Sequence, residues 1–193
     1  MQNNAGLKSF VLNLLKANLS PAYFFHDYAH TQYVVEKAIE IGEHEGCTEE
    51  EIKLLTAAAL FHDTGYINTY ADHEEASCII ARKHLPDYGY TLEEIDIICA
   101  IIMATKTPQS PQNKLGEIIA DADLEYLGTD SAKQKAHNLF LELHHLDPSL
   151  TKEAWNQIEI SFISQHHYFT NYCKENKEPM KQAYLRTLIA AEP

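Results

Sequence analysis

Residues 48–65 read TEEEIKLLTAAALFHDTG, and this stretch decides the fold. It opens with a capping box, in which the side chains of Thr48 and Glu51 can satisfy each other's backbone N–H groups at a helix start. The nearly continuous apolar run Leu54–Phe61 follows; it is too short to cross a membrane and is typical of a buried central helix. A His-Asp pair comes next, and Gly65 is placed to end the helix. The stretch therefore predicts a buried helix that carries polar side chains at its end.

Helical signals recur on both sides of this stretch. Apolar residues at helical spacing, capping residues and Gly or Pro stops indicate further helices, and no segment shows the alternating pattern of a half-buried strand. We predict an all-α helical bundle that forms a single domain over residues 1–193. The expected helices cover residues 5–19, 28–45, 73–85, 92–104, 113–127, 130–145 and 151–176, and a last one begins near Pro179.

The overall charge excludes some classes of partner. The chain has 15 Lys and Arg against 28 Asp and Glu, which gives a formal charge of −13. General binders of nucleic acid and of anionic membranes need a basic surface, so neither a nucleic-acid polymer nor a membrane is an expected partner. The 11 histidines stand out, because histidine is the commonest metal ligand and titrates near neutral pH.

Cysteine usage and the N-terminal sequence indicate the compartment. The four cysteines form no C-x-x-C pair, and they are expected to be reduced thiols. The first residues lack the pattern of a signal peptide, and no run approaches the length of a membrane span. We therefore expect a cytoplasmic protein.

The histidines and acidic residues of the first two thirds form a series of short clusters. A charged residue that follows a buried apolar run needs a partner, because an unpaired buried carboxylate is very costly. A divalent cation held by carboxylates and neutral imidazoles is one such partner, and these ligand types suit Mn, Mg, Fe, Ni, Co or Zn. The clusters are His26-x-x-x-His30, His62-Asp63, His73-Glu74-Glu75 and Asp121-Ala122-Asp123.

These clusters resemble the HD superfamily of metal-dependent phosphohydrolases, which are helical bundles. Residues 58–63, AALFHD, closely match the central signature of that family, and residues 25–31, FHDYAHT, are similar to the opening of the cyclic nucleotide phosphodiesterases. Residues 73–77, HEEAS, and 120–124, ADADL, resemble later elements of the family pattern. The resemblance covers about residues 23–128, and the helices of 129–193 are expected to pack on that part.

The resemblance implies roles for particular residues. His30, His62, Asp63 and one aspartate of the pair Asp121 and Asp123 would hold the metal. The following Leu-Gly favours Asp123, whereas the preceding apolar run favours Asp121, and we lean towards Asp123. Asp63 or the second aspartate would also orient the attacking water, and we predict Asp63 as a catalytic residue. His26, by comparison with the phosphodiesterases, would be the general acid that protonates the leaving oxygen.

Two departures from the family pattern argue for one cation rather than two. Many two-metal members carry His or Lys three residues after the His-Asp pair, where this chain has Tyr66, and the interval 85–120 contains no histidine. His73 is then the best candidate for a second-site ligand or a phosphate contact. Lys106 is a second candidate for a phosphate contact, although an exposed lysine at a helix end fits equally well.

The sequence thus predicts a metal-dependent phosphohydrolase that acts on a small phosphate ester, such as a nucleotide or cyclic nucleotide. Phosphomonoesterase and phosphodiesterase activity both stay open. Two alternatives remain on the same scaffold: an iron-dependent oxygenase and a non-catalytic binding or signalling module. Nothing in the sequence indicates the oligomeric state.

Overall fold

The computed structural model describes residues 2–191, and within them the chain is all-α, with ten α-helices and no β-strand. This confirms the predicted fold class. The helices are α1 (Gln2–Asn18), α2 (Tyr28–His44), α3 (Glu49–Phe61), α4 (His73–His84), α5 (Leu92–Met103), α6 (Lys114–Leu124), α7 (Ala132–Leu146), α8 (Lys152–Gln165), α9 (Asn171–Asn176) and α10 (Glu178–Ala190).

Helix α3 is the centre of the main hydrophobic core, as its apolar run predicts. Leu55 and every residue from Ala57 to Phe61 are fully buried. The helix contacts α1, α2, α4, α5 and α6, and its buried part lies in the second half, from Leu55 onward. The predicted capping box forms at Thr48 before α3, and a second capping box forms at Thr91 before α5. The helix therefore delivers its last residues to a fixed position inside the bundle.

Gly65 permits a close approach between two segments and does not end α3. The helix ends at Phe61, and a short 3₁₀ turn follows over residues 64–67. A Cβ atom on Gly65 would lie 1.9 Å from the carbonyl oxygen of His73, so no larger residue fits against the start of α4. Ser77 ties the segments together, because its Oγ accepts a bond from Gly65 N at 2.8 Å and donates to His62 O at 2.6 Å.

The prediction of one continuous helix over residues 151–176 is wrong, because the helix ends at Gln165. Residues 166–170 form an extended connection, and α9 begins at Asn171 with Thr170 as its N-cap. Tertiary contacts stabilise this non-helical connection. Tyr168 is buried, and its hydroxyl donates to Leu124 O at 3.2 Å. The predicted helix 113–127 is also shorter than expected, since a 3₁₀ turn replaces its end over residues 125–128.

A second, smaller core joins the C-terminal helices to the rest of the bundle. It consists of Phe25, Tyr126, Leu127, Ile163 and Leu185, which come from distant parts of the chain. All four cysteines are unpaired thiols. In the part of the chain that the structure describes, no helix combines the length and the apolar character that a bilayer span requires.

Candidate active site

His62 lies at the end of α3 with one ring nitrogen committed to the backbone. Its side chain is fully buried, and Nδ1 lies 2.8 Å from Ala59 O. A carbonyl oxygen can only accept, so Nδ1 carries the proton and Nε2 keeps a free lone pair. Nε2 points between two carboxylates, 3.2 Å from Asp63 Oδ2 and 3.6 Å from Asp123 Oδ1. This is the tautomer that a metal-binding imidazole requires.

His30 faces the same two carboxylates from α2. Its Nε2 lies 3.0 Å from Asp123 Oδ1 and 3.4 Å from Asp63 Oδ2. Asp27 caps the helix and fixes this end, because its Oδ1 accepts from the backbone N–H of His30 at 2.8 Å. One ligand atom each from His30, His62 and Asp123 lie within 4.8 Å of one another. Three separated segments of the chain therefore converge on one point.

Three buried side-chain atoms of these residues lack a hydrogen bond: His30 Nδ1, and the facing pair His62 Nε2 and Asp63 Oδ2. His62 Nε2 and Asp63 Oδ2 are both inaccessible to solvent, and neither has a partner of acceptable geometry. Orphaned buried polar atoms are costly in a folded protein, so they indicate a ligand that would satisfy them. Two imidazole nitrogens and two carboxylates form a donor set that suits a divalent transition metal. The residues present therefore fit a metal ion.

The charges of the group also favour a cation. Burial would raise the pKa of Asp63, but the neighbouring imidazole of His62 outweighs it and lowers that pKa below the usual range. Burial likewise opposes ionisation of Asp123, and hydrogen bonds with His30 and His62 lower its pKa. Burial lowers the pKa of His30, which keeps its ring neutral. The same two carboxylates raise the pKa of His62 despite its burial, so the group favours a positive charge between the carboxylates.

Asp121 and Asp123 lie in one helix, but their carboxylates contact different parts of the molecule. The carboxylate of Asp121 is fully buried and accepts from Phe169 N, from Thr170 N at 2.8 Å and from Thr170 Oγ1 at 2.6 Å. These bonds anchor the extended connection before α9. Asp121 is absent from the metal-ligand group of the described residues, whereas Asp123 belongs to it. The structure thus places Asp123 next to His30 and His62, and Asp121 against residues 169 and 170.

His26 is held by a carboxylate that the sequence analysis missed. Its Nδ1 lies 2.5 Å from Oε1 of Glu142, and Oε2 of the same carboxylate accepts from the backbone N–H groups of Phe25 and His26 at 3.0 and 3.1 Å. Glu142 is fully buried. Burial would lower the pKa of His26, but the bond to Glu142 and the charge of Asp63 outweigh it and raise that pKa. The imidazolium form, which can donate a proton, is therefore favoured.

Tyr66 fills the position where many family members carry His or Lys. Its ring stacks between two histidines, with centroids 4.4 Å from His26 and 3.9 Å from His73. Its hydroxyl lies 3.3 Å from His26 Nε2. His73 Nε2 is 3.6 Å from Asp63 Oδ1, so His73 reaches the opposite side of the same carboxylate. Tyr66 thus spaces the two histidines and adds no charge.

Lys106 lies at the edge of the site in an ion-pair network. Its ammonium donates to Asp72 Oδ1 at 2.8 Å and to Glu75 Oε1 at 2.6 Å, and its side chain is partly exposed. Both partners belong to the start of α4. Lys106 is therefore paired with two carboxylates at the edge of the site. Its role as a phosphate contact stays a prediction.

One cavity of about 600 Å³ opens onto these groups. Its polar end is lined by His26, Asp63, Tyr66, His73, Lys106 and Asp123. Its other end is apolar and lies between α7 and α8. A small molecule that enters it can contact the metal-ligand group, the His26–Glu142 pair and the C-terminal helices together.

The comparisons with known proteins agree with this geometry. A family model described as HD domain matches residues 27–125. A predicted HD superfamily hydrolase from an uncultured Thermotogales bacterium has a similar crystal structure, with TM-score 0.61 and 22% identity over 94% of this chain and 89% of that one. Bacillus subtilis YpgQ, solved in complex with ADP, has TM-score 0.68 and 19% identity over 100% and 96% of the two chains. At these identities the likeness shows the fold. Among curated proteins, none matches the sequence.

Proposed function

The chain belongs to the HD domain family, and on that premise we propose that it is a metal-dependent phosphohydrolase of small phosphate esters. The observation that carries the proposal is the arrangement at the polar end of the cavity. The group of His30, His62 and Asp123, with the carboxylate of Asp63 next to it, lies beside a histidine held by a buried glutamate, and one cavity reaches both. These are the parts that hydrolysis of a phosphate ester needs: a cation site, an acid and room for the substrate.

His30, His62, Asp63 and Asp123 would hold one divalent cation. A cation bound there supplies two effects, a lower pKa of water and polarisation of a phosphoryl oxygen. Asp63 has a second carboxylate oxygen, Oδ1, which faces His73. That oxygen is placed to accept a hydrogen bond from the attacking water and to orient it.

His26 is the proposed general acid. Glu142 accepts from Nδ1, which fixes the ring and leaves Nε2 directed into the cavity beside Tyr66. From there Nε2 can protonate the oxygen that leaves phosphorus. Glu142 then stabilises the imidazolium before transfer and keeps the ring in place afterwards.

Nucleotides are the proposed substrate class. The cavity volume of about 600 Å³ falls within the range typical of sites for drug-sized ligands and is far larger than a phosphate group requires. A protein of the same fold, Bacillus subtilis YpgQ, was solved in complex with ADP. Phosphate binding through a cation also agrees with the negative charge of the chain, since it needs no basic surface.

The test is a substrate screen with the purified protein. Nucleoside mono-, di-, tri- and cyclic phosphates are incubated with Mn, Mg, Ni, Co, Fe and Zn, and phosphate or nucleoside release is measured. We expect metal-dependent release that Asp63→Ala abolishes and that the matched variant His145→Ala keeps, because His145 is exposed on α7 away from the site. Release that persists in Asp63→Ala, or absence of release with every metal, would contradict the proposal. Oxygen-dependent turnover with two irons would favour the oxygenase instead.

A further inference from the structure

The active-site cavity extends well beyond the groups that the proposed chemistry uses. We call the inner half the part that is walled by side chains of α7 and α8 and by residues that follow α6; it is open to solvent at Ile158, which is 51% exposed. Those walls are apolar and include two aromatic rings, from Trp155 and Phe162. The aliphatic part comes from Leu127, Leu139, Leu143, Ile158 and Ile163. A phosphate group gains nothing from such walls, so they are suited to another part of a substrate.

One carboxylate stands among these apolar walls. Glu159 lines the cavity and is 7% exposed. Its Oε1 accepts a hydrogen bond from the hydroxyl of Tyr184 at 2.5 Å, and the indole of Trp155 also donates to it. Within residues 2–191 no lysine, arginine or histidine forms an ion pair with Glu159. Burial accordingly raises its pKa. A buried carboxylate whose only partners are neutral donors can still accept hydrogen bonds from further N–H groups.

Aromatic side chains of the cavity pack against the metal-ligand group. The ring of Phe25 lies 4.7 Å from His30 and 5.3 Å from Tyr126, centroid to centroid. Phe25 and Tyr126 line the same cavity as Asp123 and Glu159, so aromatic side chains contribute to its wall at both ends.

We propose that the inner half of the cavity binds the base of a nucleotide and that Glu159 determines specificity by accepting N–H groups from an amino-bearing purine. This rests on the proposed function, in which the phosphate lies at the metal-ligand group. A purine has two apolar faces and N–H donors at its edge, which matches apolar walls around one acceptor. An ionised Glu159 repels phosphate, which favours the orientation with the phosphate at the metal-ligand group.

The tryptophan of the cavity provides a direct binding signal. Trp155 is the single tryptophan of the chain and lines the inner half. Its fluorescence is titrated with AMP, GMP, purine riboside 5′-monophosphate and ribose 5-phosphate, first with EDTA, which prevents turnover, and then with Mn²⁺. We expect AMP or GMP to quench Trp155 with a Kd at least about tenfold below that of ribose 5-phosphate, because base stacking contributes to binding. Purine riboside 5′-monophosphate lacks the amino group and should bind about tenfold more weakly than the better of AMP and GMP.

Glu159→Gln tests the role of the carboxylate. The amide keeps the size of the side chain but loses the charge and one acceptor, so AMP or GMP should lose most of its advantage over purine riboside 5′-monophosphate. Tyr184→Phe is the matched control, since it removes the hydroxyl that Glu159 accepts from and leaves the carboxylate in place. This variant should keep the discrimination between the purines.

Three results would overturn the inference. They are equal Kd values for nucleotides and ribose 5-phosphate, unchanged discrimination in Glu159→Gln, and tighter binding of phosphoethanolamine than of any nucleotide, which would assign the carboxylate to an amine. The two proposals fail separately. Metal-dependent hydrolysis without base-dependent quenching refutes the base site alone. Base-dependent quenching in a protein that hydrolyses no phosphate ester refutes the proposed function and leaves the base site standing.

Discussion

At the scale of single residues, the site depends on which polar atoms of each side chain already have a hydrogen bond and which are left for a ligand. His62 Nδ1 is bound to Ala59 O, so Nε2 is left for a ligand. Sequence motifs identified His62, Asp63 and His30, because these residues stand in short, recognisable clusters. The motifs left open the choice between Asp121 and Asp123. The two residues lie in one helix, and the sequence does not say which helix face is directed towards the site.

Glu142 shows the limit of sequence analysis at this scale. It lies 116 residues from His26, and no local pattern pairs the two. One signal was available: Glu142 stands three residues after Leu139 and four before Leu146, on a largely apolar side of α7. A carboxylate in that position indicates a buried partner, but the sequence cannot say which one.

We predict that Glu142→Gln slows turnover and shifts its pH dependence. The amide cannot accept from both His26 Nδ1 and the two backbone N–H groups, so one bond to a charged group is lost. That loss is worth about 1.5–3 kcal/mol, or about a ten- to hundredfold decrease in kcat. Because Glu142 raises the pKa of His26, its removal lowers that pKa, and the alkaline limb of the kcat profile moves to lower pH. A lower kcat with an unmoved limb would assign Glu142 a purely structural role.

At the scale of elements, the connection between α8 and α9 decides how the C-terminal helices pack. The sequence of residues 166–170 has no glycine or proline, so its pattern continues the helix, and the predicted element ran through it. The break is a tertiary effect. Asp121 takes three donors from Phe169 and Thr170, which a continuous helix would have used within itself. Sequence analysis assigns such a carboxylate to chemistry because its structural partners lie far along the chain.

We predict that Asp121→Asn destabilises the fold. The amide presents an N–H₂ group to donors that need an acceptor, so buried bonds are lost and the free energy of unfolding should fall by about 2–3 kcal/mol. Thr170→Val removes a single donor and should cost less, about 1 kcal/mol. Urea unfolding followed by circular dichroism measures both. An Asp121→Asn protein as stable as the parent would show that these bonds do not anchor the connection.

At the scale of the whole molecule, the two parts of the chain contribute different components. Residues 27–125, which match the family, supply the metal-ligand group. The part that follows supplies Glu142 and the walls of the inner cavity. The fold class and the residues that converge at the candidate metal site could be predicted, since helical periodicity and family motifs are local. The cavity could not, because it depends on how helices distant in sequence pack.

The central claim is that His30, His62, Asp63 and Asp123 together hold one divalent cation. Equilibrium dialysis of Mn²⁺ against the parent protein, Asp123→Asn and Asp121→Asn tests it most directly, with bound metal counted by mass spectrometry. The account predicts one Mn²⁺ per chain in the parent and in the folded fraction of Asp121→Asn, and a large loss of affinity in Asp123→Asn. Stoichiometric binding that survives in Asp123→Asn and disappears in folded Asp121→Asn would contradict it.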